Sequence, residues 1–287
     1  MTPDTSPSPQ AAASSTAQKE RFERDGFLMV PNALPPVLVA RVTEAVDRLY
    51  EDGVCKEGLS ARNHWQMRNC IGADPVFLEL LDYPTILPLV VGLLNWDIHL
   101  LTSHAIVRPP NPPHARDEHF KGEGWHRDGG QSPAEMQEPH PRLFLKVAYL
   151  LSDQSEPGRG NTQVVPGSNR LIGRPAQAEG APHPYGAIEI LGKPGDAFLF
   201  EQRTWHAVGP NLSDLTRKTL FMGYGYRWVR AMDYLVPDDT LLPRANPVQR
   251  QLLGEVKSPM GIYLPQDDDV PLRAAWQREQ QAATAAR

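Results

Sequence analysis

A mainly β fold with peripheral helices is what this sequence predicts, and three observations predict it. Strand-like apolar runs recur over about residues 98–228 with Gly/Pro turns between them, the pattern of an antiparallel double-sheet β-fold. The segments before that region instead carry apolar residues at helical intervals. At 287 residues the chain sits near the upper size of one hydrophobic core, so a single domain with helices on its outside is the economical reading.

The elements follow in order. Met1 to Gln18 is rich in Pro, Ser, Thr and Ala without periodic apolar positions, and reads as a disordered leader before a domain spanning 19–287. Val37 to Leu49 places Leu38, Val42, Val46 and Leu49 at helical spacing behind Pro35-Pro36, which start a helix well. Pro75 to Leu81 and Pro88 to Leu94 read as further helical segments. Strands are then expected at Leu100 to Val107, Leu143 to Leu151, Ala197 to Phe200 and Leu220 to Met222. Pro194-Gly195-Asp196 and Gly209-Pro210-Asn211 supply turns between the later ones. Residues 229–287 form a C-terminal extension.

Composition narrows the function. The formal net charge is −5, with no basic stripe for a phosphate backbone, so nucleic acid is not an expected partner. Cys55 and Cys70 are too few for a disulfide framework, and the sequence shows no secretory or membrane-spanning apolar segment. A cytoplasmic protein acting on a small molecule, away from membranes, is the expectation.

The chemistry-bearing residues sit in the β region. Trp125-His126-Arg127-Asp128 is followed, much later in the chain, by Thr204-Trp205-His206 and then Arg217. Residues two apart on an extended segment point the same way, so His126 and Asp128 can aim into one cavity. Two imidazoles and one carboxylate can occupy one face of an octahedral metal and leave three positions open, the arrangement of non-haem Fe(II) oxygenases. A hairpin across the Gly209 turn would bring Arg217 back past His206, where its guanidinium offers a planar fork for a carboxylate. A surface ion pair between Arg217 and Asp214 is the plainer alternative. Lys146 stands within an apolar strand and must find a partner or reach solvent. Pro109 to Gly124 is long for a connection and lies just before His126; it reads equally as a lid or as an irregular solvated loop.

In their order along the chain these residues resemble the phytanoyl-CoA dioxygenase family of Fe(II)/2-oxoglutarate-dependent oxygenases. Pro166-Gly167-Ser168, after Gly160-Asn161-Thr162-Gln163-Val164-Val165, is similar to the family's turn between the two halves of its metal site. Asp25-Gly26-Phe27 is similar to its opening segment, and the likeness runs from about residue 19 to about residue 273. The resemblance implies a double-stranded β-helix (jelly-roll, cupin-like) core. It implies Fe(2+) held by His126, Asp128 and His206, with 2-oxoglutarate as cosubstrate, gripped at its distal carboxylate by Arg217, and O2. His104 and Gln66 match positions that line the cosubstrate pocket in relatives. Asn169 stands where the family often has a histidine, and Val208 where some relatives carry a serine that touches the cosubstrate. Asp128 supplies the carboxylate that related halogenases lack, which favours hydroxylation of an unactivated C–H bond in a small metabolite, with release of succinate and CO2. A cupin-like metalloenzyme that does not use 2-oxoglutarate and a non-enzymatic β-barrel binding protein are the competing function classes. Metal content and 2-oxoglutarate turnover separate the three.

Overall fold

Two antiparallel sheets form where the apolar runs fall. The computed structural model describes residues 9–60, 63–113, 123–129, 138–258 and 260–285. In chain order the elements are α1 (Pro9–Asp25), β1 (Phe27–Val30), α2 (Pro36–Glu57), β2 (Trp65–Arg68), α3 (Pro75–Leu81), α4 (Leu87–Leu94), β3 (Ile98–Arg108), β4 (Glu123–His126) and β5 (Phe144–Leu150). They continue with β6 (Thr162–Val164), β7 (Ile188–Glu189), β8 (Ala197–Glu201), β9 (His206–Val208), β10 (Arg217–Tyr226), α5 (Pro247–Leu252) and α6 (Pro271–Ala285). The larger sheet has the order β1-β8-β5-β10-β3-β2 and the smaller β4-β9-β6-β7. This is the expected jelly-roll core with helices outside it.

The larger sheet is buried on both faces, which is why its strands read as nearly continuous apolar runs. On β5 the alternation divides the core: Leu145, Val147 and Tyr149 join the cluster beneath the helices, while Ala148 and Leu150 join a second cluster with Val164, Phe198, Phe200 and Phe221. Phe198 stacks on Phe200 with centroids 5.8 Å apart and meets Phe221 edge-on at 6.5 Å. These aromatics occupy the space between the two sheets.

The helices follow their own signals. Pro36 occupies the first turn of α2, where its missing N–H costs nothing, and the helix buries Leu38, Val42 and Val46 as the spacing predicts. It runs on to Glu57 and stops at Gly58, whose φ of 72° suits a residue without Cβ. Asp74 caps α3 by accepting from Val76 N at 2.9 Å. At the other end of α3, where the last carbonyls run out of helical partners, the Leu80 carbonyl accepts from backbone N–H groups of the following turn and from the Tyr149 hydroxyl at 3.2 Å, and the Leu81 carbonyl accepts from the Tyr224 hydroxyl at 2.8 Å. Tyr224→Phe is therefore expected to cost about 1–2 kcal/mol, because it strands a buried carbonyl; urea denaturation reads it, and an unchanged midpoint would mean that water replaces the hydroxyl.

Residues 1–8 lie outside the described residues. The stretch read as a disordered leader is helical from Pro9, continuous with α1. Ala11-Ala12-Ala13 and the Gln18-Lys19-Glu20 run are good helix formers, and fully buried Phe22 anchors the helix to the core. Among the described residues no helix is long and apolar enough to cross a membrane.

Candidate active site

Three chain segments, distant in sequence, meet to set the position of His206. The Gly26 carbonyl accepts from Thr204 Oγ1 at 2.8 Å, and the Asp25 carbonyl accepts from Gly167 N at 2.8 Å. Trp205 N donates to Ser168 Oγ at 2.9 Å, and Val165 N donates to the Trp205 carbonyl at 3.0 Å. Gly26 has φ +78°, and a Cβ there would stand 2.4 Å from Thr204 Oγ1; only glycine fits. The Asp-Gly-Phe, Pro-Gly-Ser and Thr-Trp-His segments are thus one hydrogen-bonded knot. Asn169 belongs to it, since its side-chain amide donates to the Glu23 carbonyl at 3.3 Å. The guanidinium groups of Arg127 and Arg174 each lie over the Trp205 ring, at 5.5 and 5.3 Å from its centre.

His126 at the end of β4 lies directly opposite His206 on β9. Their rings are 4.3 Å apart, centroid to centroid. Asp128 follows in a bend fixed by its N–H donating to the Gln202 carbonyl at 2.9 Å. The ligating atoms of His126, Asp128 and His206 all lie within 4.8 Å of one another. Each histidine makes a 2.9 Å bond from Nδ1 to a backbone carbonyl, His126 to Gly124 and His206 to Thr204. That donation fixes the tautomer and leaves Nε2 unprotonated, as a metal ligand requires. Two oriented imidazoles and a carboxylate suit Fe(II).

Lys146 on β5 has found its partner: its Nζ lies 2.9 Å from Asp128 Oδ2. Burial pushes the Asp128 carboxyl up, but the Lys146 ammonium and the two imidazoles outweigh it and hold the group well below the usual carboxylate range. Burial pushes His206 down to about 4, and burial with the Lys146 and Arg68 cations pushes His104 down to about 3. Both imidazoles are therefore neutral in the fold, so between about pH 6.5 and 4 the unfolded chain binds more protons than the folded one. Stability of the metal-free protein should fall as pH drops through that window, by at most about 1.4 kcal/mol per pH unit for each histidine. Denaturant titrations at pH 7 and 5 measure this, with His104→Gln giving a shallower slope; the same slope in both proteins would exclude His104 as a contributor.

His126, Asp128 and His206 share a cavity of about 160 Å³ with Gln66, His104, Lys146 and Arg217. Arg217 is only 3% exposed, so it is not the surface arginine of the plainer alternative. Its Nε donates to Gln154 Oε1 and its NH2 to Thr162 Oγ1, both at 3.1 Å. The route by which it reaches the site corrects the sequence reading. β9 and β10 are not hairpin partners: β9 pairs with β4 and β6 in the smaller sheet, whereas β10 pairs with β3 and β5 in the larger. The chain crosses between sheets at the Gly209 turn, and Arg217 faces His206 across the cavity instead of lying beside it. Gly160 makes room for it, with φ +70° and a would-be Cβ 3.2 Å from Arg217 Cδ and 3.3 Å from Arg108 Cδ.

Both cosubstrate positions inferred from resemblance, Gln66 on β2 and His104 on β3, line this cavity. His104 Nε2 lies 2.9 Å from an Arg68 nitrogen and also contacts Thr102 Oγ1. Arg68 and Arg108 were not singled out in the sequence, although both line the cavity and Arg108 is almost fully buried opposite Arg217 in the β3/β10 register. The available signal was an arginine ending an apolar strand directly before Pro109-Pro110. The Pro109 to Gly124 connection lies largely outside the described residues, so its role as a lid is untouched by this geometry.

The chain is similar to known proteins in sequence and in fold. The sequence model of the phytanoyl-CoA dioxygenase (PhyH) family matches residues 22–219. An ectoine dioxygenase of Bordetella parapertussis is 26% identical over 247 residues, covering 75% of this chain and 76% of that protein. One from Nocardia farcinica is 26% identical over 239 residues, covering 71% and 76%. Among solved structures, apo EctD from S. alaskensis superposes with a TM-score of 0.57 at 22% identity, covering 75% of this chain and 78% of that one. The non-haem α-ketoglutarate-dependent epimerase SnoN from nogalamycin biosynthesis gives 0.57 at 19% identity, covering 75% and 84%.

Proposed function

Because the chain belongs to the phytanoyl-CoA dioxygenase family, and is thereby a non-haem iron, 2-oxoglutarate-dependent oxygenase, we propose that it hydroxylates an unactivated C–H bond of a small metabolite. The observation that carries this reading is one cavity bounded by His126, Asp128 and His206 and, across it, by buried Arg217.

In this proposal His126 Nε2, His206 Nε2 and a carboxylate oxygen of Asp128 hold Fe(II). The bound metal would supply O2 activation coupled to oxidative decarboxylation of 2-oxoglutarate, so that substrate C–H, 2-oxoglutarate and O2 give the alcohol, succinate and CO2. The protein's own groups position. Gly124 and Thr204 carbonyls hold the two rings in place. Lys146 steadies Asp128 through the ion pair at Oδ2. Arg217, oriented by Gln154 and Thr162, presents its guanidinium to the distal carboxylate of 2-oxoglutarate. Phe200 and Phe221 line the cavity between these polar groups and limit the water that can reach the reacting carbon.

The test is incubation with Fe(II), 2-oxoglutarate and O2 in the presence of pooled small metabolites. The expected result is substrate-dependent succinate and a product heavier by one oxygen atom in the mass spectrum. A product lacking two hydrogens, with no added oxygen, would replace hydroxylation by desaturation or ring closure.

A further inference from the structure

Asp128 borders a second cavity. A space of about 250 Å³ is lined by Leu101, Leu143, Phe144, Val229 and Met232 together with Asp128 and Gly129. Its walls are built, not incidental. In the β3/β10 pairing Thr102 faces Gly223 and Leu100 faces Tyr224, so Leu101 is the extra residue of a bulge, a device that re-aims a side chain. Met232 N donates to the Leu101 carbonyl at 2.7 Å and His99 Nε2 meets the Val229 carbonyl at 2.8 Å, which ties the segment after β10 over the cavity. Opposite, Gln202 Oε1 accepts from Leu143 N and Phe144 N, and its amide donates to the Pro141 carbonyl at 2.7 Å.

The charges around this space are unequal. Arg127 and Arg203 border it but are neutralised, Arg127 by Glu138 at 2.7 Å and Arg203 by Glu201 at 2.8 Å. Arg230 also borders it, is exposed, and has no acidic partner among the described residues. The first cavity, by contrast, holds Arg68, Arg108, Lys146 and Arg217, a lining suited to a dicarboxylate. Mostly apolar walls that also carry Asp128 and a guanidinium with no acidic partner among the described residues select an amphipathic molecule.

Resting on the function proposed above, we propose that the second cavity receives the substrate, and that the substrate is a small molecule with an apolar body and one anionic group, which meets Arg230 at the mouth. Ligand pockets for drug-sized molecules begin near about 300 Å³, so this one takes something smaller. A compact zwitterion such as ectoine, named for the relatives' activity, would leave its polar groups without partners against Leu101, Leu143 and Phe144; this chain is inferred to have diverged from that substrate.

The test uses the full chain with Mn(II) and 2-oxoglutarate, probed with 3-phenylpropanoate, 3-phenylpropan-1-ol and ectoine. The methyl resonance of Met232, assigned by its loss in Met232→Leu, reports occupation of the cavity whether or not metal is bound. Broadening of probe protons by Mn(II) reports proximity to the metal. The acid is expected to shift the Met232 signal with at least tenfold higher affinity than the alcohol, and ectoine is expected to leave it unmoved. Arg230→Gln should remove the preference for the acid while preserving alcohol binding, and Leu143→Trp, which fills the space, should abolish both. An unmoved Met232 signal with the acid, equal affinities for acid and alcohol, or tighter binding of ectoine would overturn the proposal. Loss of Mn(II) broadening with the Met232 shift retained would instead count against the metal assignment, so the two failures are distinct.

Discussion

His126→Ala and His206→Ala should each lose iron and 2-oxoglutarate turnover while remaining folded. Three protein ligands define the proposed site, and removing one leaves two donors that cannot fix a facial geometry. Each loss is expected to weaken metal binding by more than about 100-fold, beyond the roughly 10–100-fold cost typical of losing an outer hydrogen-bond partner. The fold should survive, because His126 and His206 sit on the short strands of the smaller sheet and the main cluster of buried apolar residues lies beneath the helices. Metal content after anaerobic loading, circular dichroism and succinate formation give the three readings. Iron at wild-type stoichiometry in either variant would remove that histidine from the ligand set.

Arg217→Ala should raise the 2-oxoglutarate requirement sharply with little change in iron binding. Truncation removes the buried guanidinium that in the proposed site faces the cosubstrate carboxylate, worth on the order of 2–5 kcal/mol, or roughly 30-fold to several thousand-fold in apparent affinity. Gln154 and Thr162 also lose their partner, so Arg217→Lys is the useful companion: it keeps the charge but not the fork. Titration of 2-oxoglutarate against succinate formed measures both. Equal requirements in wild type and Arg217→Ala would show that the carboxylate is held elsewhere, with Arg108 the next group to examine.

What could be read in the sequence was whatever local pattern determines. β3, β5 and β8 announced themselves because a sheet buried on both faces needs unbroken apolar runs, and α2 because its face repeats at helical spacing. The metal triad was legible because its residue types are chemically selective, and the geometry brings all three together. The pairing of Arg217 was misread because short turns suggest hairpins, whereas the chain here changes sheets, a decision made by packing between layers and not by the turn itself. β6, β7 and β9 have two or three residues each, too few to show alternation. Lys146 was visible as an anomaly among apolar neighbours, but its partner Asp128 could be identified only once β5 was set against the bend after β4. Arg68 and Arg108 escaped notice because an arginine at a strand end ordinarily reaches solvent.

The knot among Gly26, Gly167 and Thr204 also has a kinetic meaning. Its closing bond joins residues 178 positions apart in sequence, and β1 pairs with β8 in the same neighbourhood, with Phe27 against Phe200. Contacts of such separation carry the largest loop-closure cost and form late in folding. A chain emerging from the ribosome has His126 and Asp128 long before it has His206, and it cannot seat His206 until its own beginning has returned to pair with its end. If His126, Asp128 and His206 hold the metal as proposed, metal capture would be tied to completion of the fold, and acquisition of iron would report that the first strand has docked.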